Sequence, residues 1–279
     1  MNIQNISVAG AVTYWKLGWA NRRQLILESE DRGISGSWVP AARADIAVLK
    51  SILDLHFGQK EDLIRPLKGR VGYEVVRETR GDDRNGYGHV VTITVENGIV
   101  ERDDGQPDAV LQNQFDEYKD LLSNEALSGG LVRYVAALGG VPLRPSGAVY
   151  WIPEDRLAQW SQVSSAVEAA TVVGEPSVYI LRTQFDEALV RAVRDGVTSE
   201  VESKIGDLED DMNRTDLGER AFKGRIEMAR EARQKLKRYE RDLEVSLSTL
   251  SDRLIELETQ AAQAAILASA RAAAERKAS

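Results

Sequence analysis

The chain has 279 residues, 43% of them hydrophobic, enough to bury a sizeable core in one large domain or two smaller ones. It contains no cysteine, which excludes disulfides, thiolate nucleophiles and Cys-ligated zinc. A formal net charge of −8 argues against indiscriminate binding along nucleic acid, and no apolar run approaches the ~18 residues of a membrane span. Residues 1–10 lack the basic and apolar regions of a signal peptide, so the expected location is the cytoplasm, with no membrane partner.

Residues 6–17 are rich in strand formers and broken by Gly10, which predicts a strand with a bend. Asn21 opens a short helix through Asp31, residues 33–40 form a loop containing Trp38, and Ile46, Leu49, Ile52 and Leu53 share one face of a helix over 41–57. Residues 71–79, 89–96 and 99–101 read as a three-stranded antiparallel meander near 71–102, with Asn97-Gly98 as its two-residue hairpin turn. A helix is expected over 108–122. A second helix over 131–138 ends at the Gly139-Gly140 cap and runs into a β-hairpin to Ile152. Pro153 then starts another helix with Leu157, Trp160, Val163 and Val167 on its face, and 177–182 is a last strand. Strands in clusters, without regular βαβ alternation, give an α+β body over residues 1–183.

Residues 184–279 read as a long antiparallel helical hairpin. Its first arm, 184–212, repeats apolar residues at intervals of mostly four. The second, 219–274, has no proline and carries Phe222, Ala229, Leu236, Leu243, Leu250 and Leu257 at seven-residue spacing beside Ile226, Leu247 and Leu254. One continuous helix of that length would run about 80 Å and outreach its 29-residue mate near Leu247. Leu243, Leu247, Leu250, Leu254 and Leu257 are therefore the candidate interface, facing a second copy, another protein or the N-terminal body; the sequence leaves the three open.

Charge divides between the arms: residues 184–212 hold nine acidic and three basic side chains, net −6, and 214–241 hold ten basic and five acidic, net +5. Mutual neutralisation across the hairpin is the plain reading. The competing one gives phosphate contact to Arg230, Arg233, Lys235, Lys237, Arg238 and Arg241, with the winged-helix-like unit over 131–152 offering Arg133 and Arg144. The two histidines, His56 and His89, have no partner set for zinc or a triad. The glycine-rich stretch 81–88 matches neither a phosphate loop nor a calcium loop and reads as a hairpin tip, and Asp103-Asp104 as a turn. No cofactor and no catalytic motif is expected, which leaves only an unrecognised carboxylate-based enzyme.

The stretch Val141-Pro142-Leu143-Arg144-Pro145-Ser146-Gly147-Ala148-Val149-Tyr150-Trp151-Ile152-Pro153, with Val12-Thr13-Tyr14-Trp15-Lys16-Leu17 and Ile64-Arg65-Pro66-Leu67-Lys68, resembles an uncharacterised family of bacteriophage and plasmid proteins. The resemblance implies a cytoplasmic mobile-element product acting in replication, host takeover or particle assembly, and brings no activity with it. The expected function is a non-enzymatic interaction or scaffold protein that self-associates or docks on a protein through the C-terminal coiled coil. The alternative is a nucleic-acid-binding accessory protein using the basic cluster.

Overall fold

The computed structural model describes residues 8–58, 61–80, 85–144, 147–184, 186–212, 219–243 and 246–278. In chain order they form β1 (Val8–Lys16), β2 (Trp19–Asn21), α1 (Arg22–Asp31), a 3-10 turn (Gly36–Trp38), α2 (Asp45–Phe57), β3 (Asp62–Pro66), β4 (Gly72–Arg80), β5 (Asn85–Glu96), β6 (Ile99–Arg102), α3 (Ala109–Lys119), β7 (Leu121–Leu122), α4 (Asn124–Ala137), β8 (Val141–Pro142), β9 (Val149–Pro153), α5 (Glu154–Ala170), β10 (Thr171–Val173), β11 (Ser177–Gln184), α6 (Glu187–Met212), α7 (Glu219–Leu243) and α8 (Ser248–Ala278). The architecture is α+β, and the strand registers described are all antiparallel. Two compact units divide it: Lys16–Leu131 with Gln162–Ser177, and Met1–Trp15 with Val132–Ser161 and Val178–Ser279. The boundary expected after residue 183 falls inside β11.

In the first of these units, Val48, Leu49, Ile52 and Leu53 recur on one face of α2, as an amphipathic helix requires. That face packs with Leu111 and Phe115 of α3 on the inward residues of a sheet ordered β3-β4-β5-β6, among them Val75, Val91, Ile93, Val95 and Val100. Asn97 and Gly98 both take positive φ, 51° and 81°, which is the backbone of a two-residue hairpin turn. The expected three-stranded meander gains a fourth strand. β3 pairs Asp62 with Arg77, and the Arg77 guanidinium donates to both Asp62 carboxylate oxygens at 2.8 and 3.2 Å. The helix expected over 108–122 stops at Lys119, and Leu121–Leu122 pairs with β2 in a small sheet ordered β10-β2-β7. Asn21 caps α1 by accepting from the Gln24 N–H at 2.9 Å.

The other unit is built on a sheet ordered β11-β1-β9-β8. β1 runs on as a strand past Gly10; a Cβ there would lie 2.2 Å from the Ile152 carbonyl oxygen, so the glycine admits β9. Val12 stands opposite Trp151 and Thr13 opposite Tyr150, so strand alternation sends these pairs to opposite sides of the sheet. On one side the start of α5 brings Trp160, whose indole N–H donates to Thr13 Oγ1 at 3.0 Å; the Thr13 hydroxyl donates onward to the Tyr179 carbonyl at 2.8 Å. On the other, Trp151 meets Tyr239, with ring centroids 6.2 Å apart, in a core fed by Val193, Val197 and Val201 of α6, Leu236 of α7 and Leu254 of α8.

The single helix expected over 219–274 is two. α7 ends at Leu243, α8 begins at Ser248, and α8 packs back along α7 and also against α6. The C-terminal region is therefore three packed helices, and a long coiled-coil overhang is absent from the described residues. Burial explains the difference: Leu254 and Leu257 reach the same core as Leu236 only if the chain reverses between them.

Thr13 is fully buried, and its hydroxyl is the only acceptor shown for the Trp160 indole. Thr13→Val, close in volume, is expected to lower the unfolding free energy by about 2 kcal/mol, read from urea titration, since it leaves a buried donor and the Tyr179 carbonyl without these partners.

Candidate functional site

Helix α4 ends because Gly139 adopts φ 79°, the left-handed conformation that a Cβ disfavours. Gly140 N–H donates to the Val135 carbonyl at 2.8 Å and Gly139 N–H to the Ala136 carbonyl at 2.9 Å, the paired bonds of a Schellman cap. The cap leaves the carbonyls of Gly139 and Gly140 turned toward α7, at the negative end of the α4 dipole. The Tyr239 hydroxyl donates to the first, and the Lys235 ammonium donates to the second at 3.0 Å.

Lys235 also meets Glu200 of α6 at 2.6 Å, with side-chain exposures of 13% and 18%, and Lys204 adds a second contact to Glu200 at 2.9 Å. Burial disfavours charge on both partners of the Glu200–Lys235 pair. For Glu200 burial acts to raise the pKa, but the Lys235 charge and the bonds from Lys235 and Lys204 outweigh it, so the carboxyl titrates below its ordinary 4.5. For Lys235 burial prevails over the attraction of Glu200, and the ammonium titrates below its ordinary 10.5. A groove of about 530 Å³ borders the cluster between the end of α4 and α7, lined by Gly139, Glu200, Lys204, Gln234 and Arg238. A second, of about 680 Å³, runs between β8 and α6, where Asp195, Ser199, Ser203, Asp207 and Arg144 face it. Gly196 permits that approach of α6, because a Cβ there would stand 2.3 Å from the Pro142 carbonyl oxygen.

Of the basic cluster singled out by sequence, Arg230, Arg233, Lys235 and Arg238 form ion pairs with acidic side chains. Arg230 and Arg233 share Glu258 of α8 at 2.7 and 3.2 Å, Lys235 takes Glu200, and Arg238 binds Asp155 at 2.8 Å. Lys237 and Arg241 lie at exposed positions. Glu200 was legible as the opposing charge on the acidic arm; Glu258 and Asp155 were not, because their approach depends on the return of α8 and on the packing of α5. Of the five seam leucines, Leu247, Leu254 and Leu257 are buried within their own chain and Leu250 packs against the same core, while the Leu243 side chain lies outside the described residues.

Among the described residues no group of three or more His, Cys, Asp or Glu side chains is arranged to hold a metal ion. His56 Nε2 lies 2.6 Å from Gln114 Oε1, and His89 Nε2 lies 3.1 Å from Thr92 Oγ1 and 3.5 Å from Asp103. Residues 81–84 of the expected hairpin tip lie outside the described residues; the strands on either side of them pair as β4 and β5. Asp104 closes its turn by accepting from the Gln106 N–H at 2.9 Å. No described helix is long and apolar enough to cross a membrane.

A family model described as Family of unknown function (DUF6744) matches residues 18–274. The chain belongs to this family. Searches of curated proteins and of solved structures return no match. The DUF6744 match spans both compact units, so the cap, the buried pair and all three C-terminal helices fall within the family's own extent.

The buried pair gives a prediction whose sign differs at the two ends of the pH scale. A lowered Glu200 pKa means stability that is held above pH 4.5 and lost as pH falls through the folded value; a lowered Lys235 pKa means the unfolded chain holds that proton more tightly, so its cost is relieved as pH rises toward 10.5. Glu200→Gln removes the first effect and enlarges the second. Urea midpoints are expected to show a loss of about 3 kcal/mol at pH 7, regained in part by pH 10, with a flatter acid limb than the parent chain.

Proposed function

We propose that this DUF6744 protein is a non-enzymatic interaction protein that self-associates through its C-terminal helices. What carries the reading is α8, which is apolar on two flanks. Its inner row, Leu254 and Leu257 included, packs on α6 and α7. Its outer flank leaves Ile266 and Leu267 side by side at 70% and 60% exposure, with Ile255 three turns earlier. Ile255 borders a groove of about 300 Å³ with Ile226 and Ala262, rimmed by the Arg230, Arg233 and Glu258 charges. Adjacent bulky aliphatic side chains at such exposure favour a covering surface. The proposed contact lies beside the sequence-derived row: Leu247, Leu254 and Leu257 are buried within the chain, and Ile255, Ile266 and Leu267 are exposed.

A mobile-element origin, drawn from the resemblance, and a cytoplasmic site of action belong to the same proposal. The nucleic-acid reading ranks behind it, because Arg230, Arg233, Lys235 and Arg238 spend their charge on Glu258, Glu200 and Asp155. It predicts retention on DNA or RNA at low salt that falls steeply as salt is raised.

Multi-angle light scattering of the full chain across a concentration series tests self-association. A mass above 30.8 kDa that rises with concentration, and that falls back toward it in Ile266→Glu/Leu267→Glu, is the expected result. A mass of one chain at every concentration overturns the reading.

A further inference from the structure

Helix α8 carries a second row of residues beside the one it buries. Leu254, Leu257, Ala261 and Ala265 are buried. About a third of a turn around the helix, Ile255, Thr259, Ala262, Ile266 and Ser269 follow at alternating steps of four and three, the spacing of a coiled-coil seam. All of these are exposed except Ala262, which is half-buried. No charge interrupts the row, whereas other exposed positions of the helix hold Asp252, Arg253 and Glu256. An exposed, uncharged face with seam spacing favours a covering helix. Leu267, also exposed, lies about 100° around the helix from Ile266 and outside the row.

The sizes along the row point to what covers it. When two copies run antiparallel with Thr259 of one opposite Ser269 of the other, the same register sets Ile266 opposite Ala262, and two-fold symmetry repeats both pairs. Large meets small in the apolar layers, and hydroxyl meets hydroxyl in the others. Positions 273 and 276 come opposite Ile255 and Asp252, and the sequence has alanine and arginine there. In a parallel pair each position would meet itself, setting Asp252 against Asp252 and leaving a gap where Ala262 faces Ala262. We propose that a second copy of this chain covers the row, its α8 laid antiparallel on this one in that register. This rests on the self-association proposed above and specifies its face, direction and register.

Helix α7 completes the fit. Its Ile226 stands with Ile255, Thr259 and Ala262 around the groove of about 300 Å³. In the antiparallel register Ile266 of the other copy lies over Ala262 and enters this groove as a knob enters a hole between facing side chains. Ala262 and Ser269 are small, so the two helices can approach closely along the row. The charges on the groove's rim are already matched, Arg230 and Arg233 to Glu258 at 2.7 and 3.2 Å. Covering the groove therefore leaves none of these three charges without a partner.

The chain has no cysteine, so single cysteines report the register directly. Full-length Thr259→Cys and Ser269→Cys chains are purified separately, equilibrated together under reducing conditions and then oxidised, with each variant alone as control. The antiparallel register brings the two positions together between copies, whereas each stands about 15 Å along the axis from its own counterpart. A disulfide-linked dimer in the mixture, absent from both controls, is the expected product. In light scattering, Ile266→Glu is expected to weaken the dimer by at least about a hundredfold, since each dimer loses two buried isoleucines, while Leu267→Glu leaves the mass unchanged. Dimers that give no mixed disulfide, that link Thr259→Cys chains to one another, that survive Ile266→Glu or that fall apart in Leu267→Glu overturn this pairing and leave self-association standing. A mass of one chain for the unsubstituted protein at every concentration removes both.

Discussion

A lysine ammonium withdrawn from water must find both an opposite charge and hydrogen-bond acceptors, and this requirement at Lys235 sets the geometry of its unit. Glu200 supplies the charge from α6, and the Gly140 carbonyl supplies an acceptor from the cap of α4. Three consecutive facts of sequence have to agree for this to happen. Gly139 must end α4 in a Schellman cap, the capped carbonyls must face α7, and Glu200 must sit on the flank of α6 beside the row Val193, Val197 and Val201. Tyr239 lies one turn beyond Lys235 and repeats the docking on the Gly139 carbonyl, so α7 is fixed in rotation as well as in position.

The sheet is tied in through the same helix. Trp151 follows the residue paired with Thr13 and points to the opposite side, where it meets Tyr239. Alternation along β9 thus connects two different devices: a buried hydroxyl bridge from Trp160 through Thr13 to Tyr179, and an aromatic contact onto the helical layer. Apolar burial supplies most of the stabilisation, at about 2 kcal/mol for each buried leucine. The polar contacts decide which packing is adopted, because an orphaned buried donor costs about as much as a well-buried side chain contributes.

Much of the body was legible. The α2 face, the Asn97-Gly98 turn, the Asn21 cap and the Gly139-Gly140 cap each rest on local chemistry that is independent of the rest of the chain. The strands β2, β7 and β10, of two or three residues, were not legible, since they are too short to show a period of two and exist only because neighbours pair with them. β3 is hidden by Arg65 and Pro66 at its end. The division between α7 and α8 escaped for a different reason: the seam keeps its apolar pattern through residues 244–247, so local pattern alone is compatible with a straight helix and with a folded one. Only the requirement that Leu254 and Leu257 leave water separates them, and that requirement is tertiary.

The same ambiguity accounts for the site. In a straight helix the basic residues of α7 would face only the acidic α6, and several would be left over for an external anion. With α8 returned, Glu258 meets Arg230 and Arg233, and Glu209 of α6 meets Arg253 of α8, so the charge of each helix is matched by a helix beside it. Ion pairs at exposed positions contribute little to stability. Their effect lies in selection: they favour an arrangement in which α6, α7 and α8 are neighbours. Charge matching between helices therefore constrains which elements assemble, and apolar burial fixes how closely they pack.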